Sequence, residues 1–433
     1  MEADDKAEVN ILPKLEKGIE LIRGFSEYEN LFDSDWAKES EQEKLDDEKY
    51  LAPPQVKLGL PFPELSIENN AIIDGWYDEY NELENEEQQL AMAKQFINEY
   101  PGLVPAWGFE AEHLLDLKSN CLEKGFGDEV NLFIIEFRNR FPDVYLREFG
   151  YYDSDLIYSI LSKNNDEDIQ PYLENFEKYP IPFFEQLFEL VQILALKGKI
   201  DILIPFLKKI HKQVIDSDGI FGSYELLTPI ILHIESKYLQ VGKTDDQYID
   251  LCNEIKKNIE VEIDEKYYFP SYWKQEHEVF FSKSEVFTCR LNNAKETTET
   301  YLKFIKQFLG YIHTNIINNW IITSYLGYEL TNFIGYTITE NLVKKNHFFV
   351  INDKVLNKFI AQNYRNYLWI DSSKTNAFLN GLWYFADFLF KTGNATETEM
   401  LKIKELAIKF HETEQKINKA NIESSVFAKF PLY

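Results

Sequence analysis

Carboxylates and a glycine between two predicted helices form the most motif-like string in the chain. In a twelve-residue calcium loop, Asp216, Asp218 and Glu225 would supply the carboxylates of the third, fifth and twelfth positions. Gly219 fits the sharp turn of such a loop. The first position, however, holds Val214, so a principal ligand is missing. The same residues also suit a turn that ends one helix before the next, which is the preferred interpretation; a calcium site is the alternative.

Two pairs of carboxylates lie two residues apart, the spacing of a candidate acid and base. They are Asp153 with Asp155, and Glu276 with Glu278, which flank His277. In a helix this spacing points the two side chains to different sides, and in a strand to the same side. Since the chain has 73 carboxylates, such a pair is by itself weak evidence of a catalytic site. His277 could bind a metal ion, but no HExxH motif or partnered histidine accompanies it. We therefore predict a surface histidine with raised basicity.

The remaining candidates for chemistry stand alone in the sequence. Six further histidines are scattered singly over predicted helices, at positions 113, 211, 233, 313, 347 and 411. The lone Gly125-Phe126-Gly127 has no preceding strand and no third glycine, so it predicts a helix end rather than a phosphate site. No nucleophile motif of the GxSxG type is present. The sequence therefore predicts no catalytic residue and no bound cofactor.

The cysteines and the amino terminus bear on the compartment. Cys121, Cys252 and Cys289 lie far apart and form no CxxC pair, so neither a disulfide framework nor a structural zinc site is indicated. The first residues carry neither the basic region nor the apolar stretch of a secretory signal. We expect a cytoplasmic protein.

The charge of the chain is acidic and unevenly distributed. The formal net charge is −28, and residues 1–100 hold 26 acidic and 9 basic side chains. Binding to a phosphate backbone requires basic patches, so a nucleic-acid partner is disfavoured. The natural electrostatic complement is a basic protein or peptide. The oligomeric state cannot be predicted from these features.

One uncharged stretch is long enough to cross a bilayer. Residues 307–328 contain no formally charged side chain. They do contain eight polar side chains, each of which would need a partner in hydrocarbon. The stretch therefore predicts a helix buried in a large core, and no membrane contact.

Residues 1–65 differ in character from the rest of the chain. Pro13 and Gly24 bracket a predicted helix, and residues 25–65 form an acidic, proline-containing arm. Its aromatics include Phe32 and Trp36. Either the arm is a solvated loop that lays these two side chains on the body, or it is a linear motif that docks them into a partner.

From about residue 70 the apolar periodicity is helical, and one ending recurs. An aromatic residue, a second aromatic three or four residues later, and a proline close three successive segments, at Phe96-Tyr100-Pro101, Phe137-Phe141-Pro142 and Phe176-Tyr179-Pro180. The prolines are 41 and 38 residues apart. This interval suits two helices and two turns, because proline cannot continue the helix it follows.

These endings resemble those of tetratricopeptide-like helical repeats over roughly residues 70–240. The resemblance implies a stack of antiparallel helices whose concave face commonly holds a peptide or another protein. It implies no residue-level site in this chain. The interval is longer than the usual 34 residues of that family.

The predicted fold is all-α, with stacked antiparallel helical hairpins of α-solenoid type and a carboxy-terminal helical domain. We predict a helical-repeat domain over 66–261, an aromatic-rich connection over 262–295 and the last domain over 296–433. The last domain should contain helices over 296–342, 352–366, 372–391 and 396–420, the third capped by Asp371 or Ser372.

The function expected from these features is that of a non-enzymatic scaffold or adaptor that binds a protein or peptide. Two alternatives remain open. One is an enzyme whose active site is assembled from helices distant in sequence. The other is a structural or assembly subunit that uses its acidic amino-terminal arm.

Overall fold

A computed structural model describes residues 64–83, 85–107, 111–163, 168–215, 226–239, 244–258, 268–284, 294–339, 351–364, 371–418 and 422–433. Within these ranges the backbone forms 19 α-helices and no β-strand. The helices are α1 Ile67–Glu82, α2 Glu86–Glu99, α3 Val104–Trp107, α4 Ala111–Lys124, α5 Gly127–Arg140, α6 Pro142–Tyr145, α7 Phe149–Lys163, α8 Gln170–Lys178, α9 Phe184–Leu196, α10 Ile200–Ile215, α11 Thr228–Ser236, α12 Asp245–Asn258, α13 Pro270–Phe280, α14 Ala294–Asn315, α15 Trp320–Thr339, α16 Asp353–Asn363, α17 Ser372–Lys391, α18 Glu397–Ile417 and α19 Ile422–Val426. The predicted all-α fold is confirmed.

The contacts divide the described chain into two compact units. The larger unit contains Val191–Glu414 and Lys429–Tyr433, and the smaller contains residues 64–190 and Gln415–Ala428. This division does not coincide with the predicted boundaries after residues 65, 261 and 295, which stay predictions about separately folding domains.

Neighbouring helices in sequence pack on one another within each unit. In the larger unit, each helix from α10 to α14 packs against the next, and α17 packs against both α14 and α15. In the smaller unit, α4 packs against α2 and α5, and α7 packs against α8 and α19. Such contacts are those of a solenoid-like arrangement, in which each element is stabilised mainly by its neighbours.

The three aromatic-proline endings share one backbone geometry. Tyr100, Phe141 and Tyr179 are the C-caps of α2, α5 and α8, with φ of −126°, −131° and −135° and ψ of 53°, 56° and 65°. A residue before proline is driven out of the α region, so each helix ends where the sequence predicts. The same effect of proline on the preceding residue thus ends all three helices. The resemblance to tetratricopeptide-like repeats stays a prediction.

Aromatic side chains connect consecutive hairpins of the smaller unit. The Trp107 ring stacks on Phe96 of α2, with centroids 4.9 Å apart, and meets Phe137 of α5 edge-on at 6.4 Å. All three rings are buried. The burial of these rings stabilises this unit, because a fully buried aromatic side chain removes about 150–250 Å² from water.

Two helix ends in the larger unit are set by side-chain caps. One of them was predicted from the sequence and the other was not. Helix α17 spans the predicted 372–391, and the Asp371 side chain accepts a hydrogen bond from Lys374 N, as expected of an N-cap. The predicted helix over 296–342 is instead two helices. They are separated because the Asn319 side chain caps α15, accepting from the N–H groups of Ile321 and Ile322. Among the described residues, none of the helices combines the length and the hydropathy of a bilayer-spanning segment.

The predicted connection over 262–295 contains a helix. Helix α13 begins at Pro270, and the fixed φ of proline suits the first turn of a helix. Trp273 and Phe280 are buried on one face of this helix, and Phe269 and Phe281 at its ends are exposed. The high aromatic content of the segment therefore reflects a packed helix, which single-sequence periodicity did not separate from a loop.

Candidate functional site

Two sets of residues singled out in the sequence lie outside the described residues. They are the carboxylates Asp216, Asp218 and Glu225 of the calcium hypothesis and the arm aromatics Phe32 and Trp36. Both hypotheses stay predictions. Among the described residues, no three His, Cys, Asp or Glu side chains come together in a way that could hold a metal ion.

The prediction of a surface position for His277 is wrong. Its side chain is 0% exposed, and Glu276 is also buried, whereas Glu278 is exposed. The two glutamates do point to different sides of α13, as their spacing predicts. Helix α13 packs against both α12 and α14, so its His277 face is covered by contacts that the sequence pattern did not reveal.

Glu235 of α11 is the centre of a buried polar cluster. Its Oε1 lies 3.3 Å from His277 Nε2, and its Oε2 accepts a hydrogen bond of 2.8 Å from Trp320 Nε1. Glu235 is 4% exposed. A buried carboxylate is costly unless donors satisfy its oxygens, and here α13 and α15 supply one each. We refer to Glu235, His277 and Trp320 as the Glu235 cluster.

An ion pair is buried beside this cluster. Lys306 Nζ of α14 donates to Glu276 Oε1 at 2.7 Å and lies 2.6 Å from Oε2. Burial raises the pKa of Glu276, against the lowering effect of Lys306 and the further raising effect of Glu235. These two neighbouring sites thus hold two carboxylates, one lysine and one histidine away from water, each with a named partner.

A cleft of about 170 Å³ lies next to the Glu235 cluster. Its lining combines two imidazoles with amide and hydroxyl groups, and consists of Ile200, His233, Ser236, His313, Asn318, Asn319, Trp320 and Ile321. These residues come from four helices and the α14–α15 turn. An apolar cavity of roughly 150 Å³ holds benzene, so this cleft can take a molecule of about that size.

The two imidazoles of the cleft differ in their surroundings. His313 is 7% exposed, packs edge-on against Trp320 with centroids 5.3 Å apart, and its buried Nδ1 makes no hydrogen bond. Burial lowers the pKa of His313, opposed by the charge of Glu235. Burial also lowers the pKa of His233, assisted by Lys237 and Lys208. Both rings are therefore neutral at pH 7, and each can donate one hydrogen bond and accept one.

A second buried charge lies in the smaller unit. Asp153 of α7 is 0% exposed; its Oδ1 accepts from Tyr145 Oη at 2.6 Å and its Oδ2 from Asn175 Nδ2 at 2.8 Å. Arg138 Nε lies 3.8 Å from Asp153 Oδ1. Its predicted counterpart Asp155 points elsewhere and pairs with Lys118. The two aspartates thus do not share a site.

The Asp153 carboxyl should give the smaller unit a measurable pH dependence. Burial raises its pKa from 3.8 to about 6, despite the opposing effects of Tyr145, Asn175 and Arg138. Between these values the native chain binds a proton that the unfolded chain has lost, so the free energy of unfolding falls as pH rises from about 4 to about 6. The fall is about 3 kcal/mol.

Urea denaturation of wild type and Asp153→Asn at pH 4, 5, 6 and 7 measures this effect. The asparagine keeps the shape but cannot titrate, so the difference in unfolding free energy between the two chains should change over that range and level off above it. The Tyr145→Phe variant lacks a hydrogen bond that lowers the pKa of Asp153. In this variant the free energy of unfolding should therefore continue to fall up to a higher pH than in wild type. Parallel curves for wild type and Asp153→Asn would refute the assignment.

The surface of α1 carries an acidic stripe. Asp74, Asp78 and Glu82 are spaced four residues apart and exposed on one face, while Ile73, Trp76 and Tyr80 are buried on the other. Helix α1 has no basic residue in its last turn. We call Asp74, Asp78 and Glu82 the acidic stripe; they are three of the acidic residues within the first 100 positions of the chain.

Single-sequence reasoning missed the residues that form the cleft and the Glu235 cluster. Glu235 and Trp320 are 85 residues apart in sequence, and Glu235 and His277 are 42 apart. The available signal was the uncharged stretch 307–328, whose scattered polar side chains require partners inside a protein core. That signal predicts burial, but it does not identify which distant groups the polar side chains meet.

The fold and these sites define an all-α protein of packed helical hairpins with a polar cleft in its larger unit. Comparison of the chain with family models, with curated proteins and with solved structures found no match.

Proposed function

We propose that this chain is a non-enzymatic interaction scaffold of helical hairpins whose acidic stripe binds a basic protein or peptide. The observation that carries the proposal is the stripe itself, three exposed carboxylates on one face of α1. A groove or face on a helical array is a common binding surface for extended or helical peptides. The acidic charge of the whole chain, −28, would steer a basic partner towards it.

The stripe is unfavourable for α1 when no partner is bound. Like charges at a spacing of four residues destabilise a helix by about 0.2–0.5 kcal/mol per pair, and Asp78 forms such a pair with both Asp74 and Glu82. Glu82 is also the last residue of α1, where a negative charge opposes the helix dipole. A basic ligand would remove both penalties. The stripe therefore has a physical use in binding that it lacks in folding.

The proposal also retains the cytoplasm as the compartment. Two observations support this compartment. The cysteines are widely spaced in the sequence, and Cys121 and Cys252 are buried free thiols. Burial raises the pKa of both thiols to about 11, so they are protonated and unreactive at neutral pH.

A charge-matched pair of variants tests the binding surface. The stripe variant carries Asp74→Asn, Asp78→Asn and Glu82→Gln, and the control carries Glu278→Gln, Glu405→Gln and Glu412→Gln, which are exposed carboxylates of the larger unit. Both changes neutralise three charges. The probe is a fluorescent decapeptide of alternating Lys and Ala, followed by anisotropy at low and physiological salt.

The stripe variant should bind this peptide about tenfold more weakly than wild type, because each exposed ion pair contributes about 0.2–1 kcal/mol. The control variant should stay within about twofold. The same stripe variant should be more stable than wild type by about 0.4–1 kcal/mol, since its two like-charge pairs are gone. Equal weakening by both variants would show that only the net charge matters and would contradict a stripe-specific site.

Native-extract capture with wild type and both variants then extends the test to natural partners. Proteins lost with the stripe variant and kept with the control, identified by mass spectrometry, are those that the proposal predicts to be basic. Recovery of the same proteins by all three chains would contradict it.

A further inference from the structure

The surroundings of the cleft in the larger unit are basic, against the trend of the chain. The turn that precedes Ile200 carries Lys197 and Lys199, and these lie close enough to each other and to Lys429 that the like charges help to lower the pKa of Lys197, after burial. Gly198 in this turn lies beside Ile322 in the first turn of α15. The turn thus lies close to the cleft-lining residues Ile200 and Ile321.

Two further lysines extend the basic surroundings on the His233 side. Lys237 and Lys208 both act on the His233 ring, where Glu254 and Asp201 oppose them. The Glu254 carboxylate forms an ion pair with Lys237 and accepts a hydrogen bond from Tyr238. Glu235 is also engaged, by the donors of its own cluster. Against these five lysines stand three carboxylates, Glu235, Glu254 and Asp201, in a chain whose net charge is −28.

The polar groups inside the cleft can donate hydrogen bonds. The buried His313 ring has an Nδ1 without a partner, and the neutral ring carries one N–H. Asn319 uses its Oδ1 for the α15 N–H groups, so its Nδ2 is the part of the amide left to donate. Those backbone groups are already capped, and a ligand would be held by side chains rather than by the end of the helix.

We propose that this cleft binds a small oxyanion, a carboxylate or phosphate group on a molecule no larger than about benzene. His313, His233 and Asn319 donate to its oxygens, and the surrounding lysines supply the positive potential. The lining has no carboxylate for a hard cation and only two histidines, fewer than the three protein ligands of a zinc site, and it is too polar for a wholly apolar ligand. This inference is independent of the proposed function, because the acidic stripe belongs to the other unit.

Histidine resonances report on the cleft without any substitution. The full chain, labelled with ¹³C-histidine, is titrated separately with sodium phosphate and sodium acetate, and with sodium chloride at matched ionic strength. Saturable shifts of the His233 and His313 ring signals are expected with at least one of the two oxyanions, while His211 and His411 stay in place. Phosphate alone, acetate alone or both would identify the group that the cleft accepts.

Two alanine variants refine the assignment. His233→Ala should weaken binding of the effective anion about tenfold, the loss of one hydrogen bond to a charged group. His211→Ala, on the neighbouring α10 and outside the cleft lining, should change it less than twofold. Circular dichroism checks that both chains are folded, and the unsubstituted titration decides the case if they are not.

Three results would overturn the proposal. One is the lack of a saturable shift with either oxyanion at tens of millimolar. Another is an equal response of His233, His313, His211 and His411, which reports ionic strength only. The third is a response of the cleft histidines to Zn²⁺ with none to phosphate or acetate, which would assign the cleft to a cation.

Discussion

Replacement of Lys306 by Met is expected to lower the free energy of unfolding by about 3–5 kcal/mol. Lys306 and Glu276 are 7% and 5% exposed, and the ammonium lies within 2.7 Å of both carboxylate oxygens. Methionine keeps most of the apolar length of lysine but removes the charge. The Glu276 carboxylate would then be buried next to Glu235 with no cation to balance it, which is the costly state of a broken buried pair.

The pH dependence of this variant distinguishes lost charge from lost packing. Lys306 lowers the pKa of Glu276, which burial raises, so its removal should raise that pKa further above the unfolded value of 4.5. The native variant then binds a proton that the unfolded chain has lost. Its stability relative to wild type should therefore fall as pH rises from the Glu276 pKa of wild type through the higher pKa of the variant, and recover as pH falls.

Urea denaturation at pH 5 and pH 7, followed by tryptophan fluorescence, measures both effects. A double variant, Lys306→Met with Glu276→Met, is the matched control. Replacing a whole buried pair by apolar groups of similar size is often neutral or stabilising, so the double variant should regain most of the lost stability. A double variant that is less stable than Lys306→Met would contradict the charge argument and indicate a packing role.

Replacement of Gly310 by Ala is expected to cost about 3 kcal/mol, the upper range for overpacking. A Cβ atom at this position of α14 would lie 1.9 Å from the carbonyl oxygen of Phe280 and 2.7 Å from its carbonyl carbon. Both atoms belong to the backbone at the end of α13, so no side-chain rotation can relieve the overlap. The two helices would have to move apart, and their shared core would lose contacts.

Gly75→Ala is the matched control, because Gly75 also lies within a helix but a Cβ there would meet nothing within 4 Å. Alanine is the better helix former by about 0.8–1 kcal/mol, so this variant should be slightly more stable than wild type. Thermal denaturation of the two variants should thus give shifts of opposite sign. A Gly310→Ala chain as stable as wild type would show that α13 and α14 do not approach as closely as the structure has them.

Local structure was largely predictable from the sequence. The ends of α2, α5 and α8 and the N-cap of α17 lie where the pattern places them, because each depends on residues within about four positions of it. The helix boundary at Gly125 is of the same kind, since its φ of 93° suits glycine best. The helix boundary within 296–342 was not predicted, because it depends on capping by Asn319. In the sequence Asn319 is one of several asparagines in a long uncharged stretch, and nothing local marks it as a cap.

The residue pattern alone thus accounts for the all-α fold, the recurring helix ends and the acidic bias, to which the stripe on α1 contributes. Which polar residues are buried, and which groups they contact, follows from the tertiary packing. Glu235, His277 and Trp320 form a cluster because α11, α13 and α15 are brought together, although 85 residues separate the ends of that set. Helix periodicity specifies which face of a helix is apolar, but the partner of that face follows from packing among distant helices, which a single sequence does not encode locally.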